Sequence, residues 1–272
     1  MNELAIEGSE GTANQFFALL TSVHDFDKAE VFPVVSSIVG ARQHSDTCFI
    51  GTYYRARGNV ESLLCLNNIK HFQALAMLAR SVFELAVDVR LLKLVPAAVP
   101  KMLKFVDVEK LRVARQVVGF CDSNPSGAKV DSAPFREFIQ KRAANIEGEH
   151  ALLWPERKRL KHWSGDGLRT TTAMLREPFE RMYLCEYPQV SWQAHSGLTG
   201  MLNLEKSTFE LIATHAFKLA AESYCMILET IITEYKLESA DSKIQSKLTF
   251  ARLLPFTESD EQRAQIREEL LG

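Results

Sequence analysis

The sequence predicts an all-α fold, an irregular multi-helix bundle in a single domain. Three observations carry this. Thirteen Gly and nine Pro in 272 residues leave long uninterrupted stretches. Apolar residues recur through those stretches at the three- and four-residue spacing of helices. The chain-breaking residues gather between the periodic segments, so the chain reads as helices with short connections, without an internal repeat.

In order, residues 1–12 read as a loose leader. A short helix over 13–31 carries Phe16, Phe17, Leu19, Leu20 and Val23 on its apolar side. Pro33 suits the start of the next helix, because its missing N–H costs little there. That helix runs with interruptions to about residue 68. Its weak part is DTCFIGTYY (46–54), whose β-branched and aromatic content also suits a strand. Residues 70–95 give the best-defined helix, ended or kinked by Pro96 and Pro100. A helix over 101–121 follows, then the turn cluster DSNPSG (122–127). Ser132 and Pro134 start a helix through about 145, continued less regularly past Gly148 over 146–156. HWSGDG (162–167) reads as a loop. The helix over 178–187 restarts near Pro188, since a residue before proline is pushed out of the α region. SGLTG (196–200) closes that segment. A long last helix covers 204–237, which ends the bundle domain of 13–237. The charged tail, 238–272, finishes in a short helix.

The bulk numbers limit function more than they define it. The chain is 46% hydrophobic and 24% charged, ordinary for a soluble globular protein. A net charge of −2 gives no global attraction to nucleic acid or to an anionic membrane. Only a local basic patch could bind RNA or DNA. Cys48, Cys65, Cys121, Cys185 and Cys225 are scattered with no CxxC pair, which suggests reduced thiols and a cytoplasmic location. The first residues lack the basic and apolar regions of a signal peptide. No apolar run is long enough to span a bilayer, so no membrane contact is expected.

The stretch LARSVFELAVDVR (78–90) is apolar around most of its helical circumference. Gln73, Met77, Arg80, Ser81, Glu84 and Asp88 share one arc about 100° wide. Such a helix is packed by neighbours on most sides, and its polar arc faces a cleft or a strip of water. Arg80 precedes Glu84, the weaker order for an isolated helix, so local helix stability is a poor reason for the pair. Three readings stay open: a solvated stripe, a structural ion pair, or half of an active site.

A second cluster is MYLCEYPQVSWQAHSG (182–197). Tyr183, Tyr187, Ser191 and His195 recur every four residues, and a histidine is the usual acid or base near neutral pH. A nearby arginine can stabilise charge developing on a phosphate. The alternative is a histidine that serves only as a helix-end hydrogen-bonding group. A third cluster is PERKRLKHWSG (155–165). Arg157, Lys158, Arg159, Lys161 and His162 lie beside Trp163, a basic run with an aromatic able to stack on a base. The alternative is a solvated helix end whose cations offset the helix dipole. EGEH (147–150) is a single Glu-x-x-His without the second copy that a di-iron bundle needs. HExxH, P-loop, GxGxxG and GxSxG motifs do not occur. No metal and no cofactor is expected.

Two of these clusters together resemble a known pattern. LARSVFELAVDVRLL is similar to the Leu-x-Arg-Ser-x-x-Glu helix of the bacterial uncharacterised-domain family 5677. That family continues with Tyr-x-x-x-Ser-x-x-x-His, and Tyr187, Ser191 and His195 stand in this order. HWSG (162–165) resembles its short intervening Trp-Ser-Gly stretch. The likeness covers roughly 60–235. It implies an all-helical fold and a meeting of Arg80, Glu84 and His195, and it brings no established activity. A looser similarity is to HEPN-type helical nucleases of toxin and antiviral systems, marked by an Arg followed at short range by His. Arg157 and His162 fit that spacing, but Lys158 stands where the family has Asn, Asp or His.

The expectation is a metal-independent ribonuclease-like or phosphoryl-transfer effector of a bacterial toxin or phage-defence system. His195 would be the acid or base, Arg80 would hold a phosphate, and Glu84 would orient Arg80 or tune His195. Tyr187, Ser191, His162 and Trp163 would support the site, and Arg157, Arg159 and Lys161 would guide RNA. The alternative is a non-catalytic helical interaction protein whose Arg/Glu/His cluster is a structural network. A small-molecule pocket lined by Met77, Tyr183 and Trp192 is a third reading. RNA, a protein partner and a second copy of the chain all remain open as partners.

Overall fold

The computed structural model describes residues 6–9, 11–38, 44–95, 97–124, 130–156, 160, 162–194 and 205–272. It is all-α. The helices are α1 (Thr12–Phe26), α2 (Phe32–Ile38), α3 (His44–Cys65), α4 (Phe72–Leu94), α5 (Ala98–Ser123), α6 (Ala133–Leu153), α7 (Leu168–Leu175), α8 (Phe179–Cys185), α9 (Tyr187–Ala194), α10 (Lys206–Glu234), α11 (Ile244–Leu253) and α12 (Asp260–Leu271). A π-helical segment, Asp27–Val31, joins α1 to α2. Among the described residues the single β feature is an isolated bridge between Glu7 and Asn68. Among them no helix is long and apolar enough to cross a membrane. The sequence reading treats 13–237 as one bundle domain. The contacts group the chain into two compact units, Met1–Leu94 with Thr171–Gly272, and Val95–Thr170.

The first unit is built around α10, which packs along α4 and α1; α3 and α9 also lie against α4. Phe217, Ala220, Tyr224, Leu228 and Ile231 of α10 are fully buried, and so are Leu75, Ala79, Val82 and Phe83 of α4. Helices with so wide an apolar surface are stable only when enclosed by others.

The structure adds detail to three sequence expectations. The stretch 46–54 is helical, inside α3. Ile50, Tyr53, Ala56, Val60 and Leu63 are fully buried at three- and four-residue steps, so the packing surface of α4 decides between the two periods. The leader is held at its end: Ile6 is 1% exposed, and Glu210 of α10 accepts from Ser9 Oγ (2.8 Å) and from the Ala13 N–H at the start of α1 (3.2 Å). Gly11 permits this, because a Cβ there would sit 3.0 Å from the Glu210 carboxylate. The tail forms α11 and α12. Ile244, Leu248 and Ala251 of α11 are buried, and α11 packs on α1.

The second unit is a helical hairpin of α5 and α6, the latter continuous through Gly148. Its shared interior is thin. Leu111, Ala114 and Ile146 are buried, and ion pairs Lys104–Glu149 (2.7 Å), Arg115–Glu147 (2.6 Å) and Arg136–Asp122 tie the helices together. A groove of about 600 Å³ lies between Leu111, Arg115, Ile146 and His150.

Candidate functional site

The polar arc of α4 meets the start of α9. The chain breaks at Glu186, between α8 and α9, and Pro188 takes the second position of α9. The break turns Tyr187 toward α4, where its ring lies 5.4 Å from Phe83. Its hydroxyl donates to Glu84 Oε1 at 2.7 Å. Arg80 Nε donates to the same oxygen at 2.8 Å, and the guanidinium carbon sits 5.5 Å from the Tyr187 ring centre. Ser191 lies one turn on along α9, where its hydroxyl slightly favours the ionised form of the same phenol. Four residues expected to act together are thus in one cluster. The Arg80 and Glu84 side chains are 32% and 40% exposed, whereas Tyr187 is 8% exposed.

The electrostatics of the cluster are those of a holder. Burial pushes the Tyr187 phenol well above its ordinary value, and Glu84 beside it adds to the effect. It stays protonated and acts as a donor. Partial burial lowers the Arg80 pKa, but the Glu84 and Tyr187 contacts outweigh this and raise it overall. Arg80 therefore keeps its charge at every working pH.

The other expected residues divide in two. His195, Arg157, Arg159 and Lys161 lie outside the described residues. His162 and Trp163 belong to the second unit. His162 Nδ1 is 2.9 Å from Ser164 Oγ. Trp163 is corrected: it is 4% exposed, and its carbonyl accepts from Trp154 Nε1 at 2.9 Å. Its ring is core rather than a face on which a base could stack. Tyr183 stacks on Tyr187 at 5.3 Å. Met77 and Trp192 are 57% and 55% exposed, on open surface.

Scans against protein families, curated proteins and solved structures each return no match.

Two further clusters escaped the sequence reading. In the first, Asp27 of the π-helical segment is fully buried. It accepts from Tyr53 (2.5 Å), Tyr224 (2.8 Å) and Arg57 Nε (2.9 Å). Arg57 also pairs with Glu61 at 2.6 Å and lies over the Phe32 ring. Burial raises the Asp27 pKa despite these three donors. In the second, Glu186 is 4% exposed, and its Oε1 accepts from Arg181 (2.6 Å) and Lys218 (2.9 Å). Glu186 Oε2 and His215 Nδ1 are buried without a hydrogen-bond partner among the described residues. Burial lowers the His215 pKa, which leaves the imidazole neutral at neutral pH. Burial, and then the Glu186 charge, raise that of Glu222. The sequence carried one usable signal for this group: His215, Lys218 and Glu222 share a face of α10. Its key member, Glu186, depends on the α8–α9 break. Among the described residues no three His, Cys, Asp or Glu side chains converge to hold a metal ion.

Proposed function

We propose that this chain is a phosphate-directed effector of a bacterial toxin or phage-defence system, acting as a metal-independent ribonuclease or phosphoryl-transfer protein. Arg80 contacts the phosphate, Glu84 and Tyr187 hold Arg80, and His195 is the acid or base. His162, Arg157, Arg159 and Lys161 guide RNA. The observation that carries the reading is the presentation of Arg80: anchored through Nε, with a third of its side chain open to solvent. A guanidinium fixed at one edge and open at another suits phosphate recognition, because little freedom remains to be lost on binding. The resemblance of LARSVFE and of Tyr187, Ser191 and His195 to family 5677 supports a shared polar site of Arg80, Glu84 and His195, and the looser one of Arg157 and His162 to HEPN nucleases supports RNA as its substrate.

A second reading rests on the burial of Tyr187 and its packing on Phe83. In it the cluster fixes the position of α9 on α4, and the chain works by binding partners without catalysis.

RNA cleavage by purified protein in excess EDTA separates the two. The expected result is cleavage by the wild type, lost in Arg80→Ala and His195→Ala while both keep native helicity and thermal unfolding. Absence of cleavage, with Arg80→Ala clearly destabilised, would support the structural reading.

A further inference from the structure

Half-buried cations of the first unit are paired with acids, with two exceptions. Among its described residues seven lysines and arginines are half-buried. Five have a carboxylate within 3.2 Å: Arg57 has Asp27, Arg80 has Glu84, Lys218 has Glu186, Lys247 has Glu30 and Arg263 has Asp260. Arg90 and Lys93, the remaining two, pair with no carboxylate among the described residues, and both line one cavity of about 470 Å³ at the end of α4. That volume suits a small molecule. A cation taken partly out of water without a counter-charge is unfavourable, so two of them on one cavity wall mark a place for an anion.

The simplest alternative is that these cations only offset a helix dipole. The end of α10 reaches the same cavity, which Thr230 and Thr233 line. Each helix C-terminus carries about half a negative charge, so two ends offset about one of the two cations and leave the other. The acids of the cavity have cations of their own: Glu229 holds Arg252 through Oε1 at 2.9 Å, and Glu177 lies beside Arg181 at 3.8 Å. The wall supplied by α10 and α11 offers acceptors. The Thr233 hydroxyl donates to the Glu229 carbonyl at 2.7 Å, and Gln245 Nε2 donates to Glu238 at 3.0 Å. Their oxygens keep lone pairs for the hydroxyl groups of a ligand. The single aromatic in the lining, Phe179, is 3% exposed, so a nucleobase finds no ring to stack on. An anion at one end and hydroxyls at the other describe a phosphorylated sugar. We propose that this cavity is a binding site for a sugar phosphate, with Arg90 and Lys93 on the phosphate and Thr233 and Gln245 on the sugar hydroxyls. The site is separate from the Arg80 cluster, because Arg90 lies about 15 Å along α4 from Arg80 and about 80° around it.

Isothermal titration calorimetry of the full chain with millimolar ribose 5-phosphate tests this. Saturable binding is expected, at least about tenfold tighter than that of inorganic phosphate. AMP should bind no more tightly than ribose 5-phosphate. Arg90→Gln and Lys93→Gln should each weaken binding at least about tenfold with thermal unfolding unchanged, since neither side chain holds a partner in the fold. Thr233→Val should weaken ribose 5-phosphate about threefold to tenfold and leave inorganic phosphate unaffected. Arg80→Ala should change neither. Absence of saturable binding, or binding indifferent to both Arg90→Gln and Lys93→Gln, overturns the proposal. So does its loss in Arg80→Ala, which would put the ligand at the α4–α9 cluster. Inorganic phosphate bound as well as the sugar phosphate, or AMP bound more tightly, would overturn the assignment of the ligand class.

Discussion

The first unit contains two clusters made from the same parts, a carboxylate, an arginine and tyrosine, and they do opposite things. Around Asp27 the parts come from the π-helical segment, α3 and α10, and water is excluded. Around Glu84 the carboxylate and arginine sit one turn apart on α4, with only the tyrosine arriving from elsewhere. The Asp27 carboxylate is fully buried and the Glu84 side chain is 40% exposed. The difference teaches that residue type does not decide role here; the number of helices tied together and the access of water do. Three donors on a buried carboxylate make a keystone among three elements. Two donors on a half-open one hold an arginine at a surface.

The largest expected effect tests that division. Asp27→Ala would leave the Tyr53 and Tyr224 hydroxyls and one edge of Arg57 unpaired in a dry interior. Removing one member of a buried charged network costs about 3–5 kcal/mol. Arg80→Ala removes a partly exposed pair and should cost about 1 kcal/mol or less. Urea unfolding of both variants gives the comparison directly. Equal losses would mean that the open cluster is as structural as the sealed one.

The sequence made one of these clusters legible and hid the other, for a physical reason. Arg80 and Glu84 announce themselves because they sit together on a helix that is otherwise apolar. Tyr187 was found through its four-residue spacing with Ser191. Asp27 has partners 26, 30 and 197 positions away, and no local pattern encodes such distances. The same holds for Glu186, which meets Arg181 only because the helix breaks between α8 and α9. The fold was more legible, since helical periodicity is a local property. Its one ambiguous stretch, 46–54, was settled by the burial that α4 and α10 offer to Ile50 and Tyr53. Trp163 was misread because its neighbours in sequence are basic, whereas its surroundings in space are core.

The pH dependence of stability sharpens the contrast further. The Asp27 pKa lies above its ordinary value of 3.8, with burial as the cause. A carboxyl whose folded pKa is raised holds its proton in the folded state after the unfolded state has lost it. Its contribution is therefore full below the unfolded value and declines as pH rises through the folded one. Asp27→Asn removes this titration. The stability of the wild type relative to Asp27→Asn should fall as pH rises above the ordinary aspartate value and through the raised folded one. A difference that stays flat or grows over that range would mean that the three donors, and not burial, dominate at Asp27.

The smallest expected effect lies at the contact that joins α9 to the open cluster. Tyr187→Phe keeps the ring against Phe83 and Tyr183 and removes only the hydroxyl on Glu84. Glu84 is accessible enough for water to replace that donor, so the stability cost should be about 0.5–1.5 kcal/mol. If Arg80 presents its guanidinium to a phosphate, the hydroxyl matters mainly through the position of Glu84. RNA binding should then weaken only about twofold to fivefold, well short of the loss from Arg80→Ala. Filter binding at fixed ionic strength reads both. A Tyr187→Phe protein that binds RNA as poorly as Arg80→Ala would make the phenol itself the contact and leave Arg80 as its support.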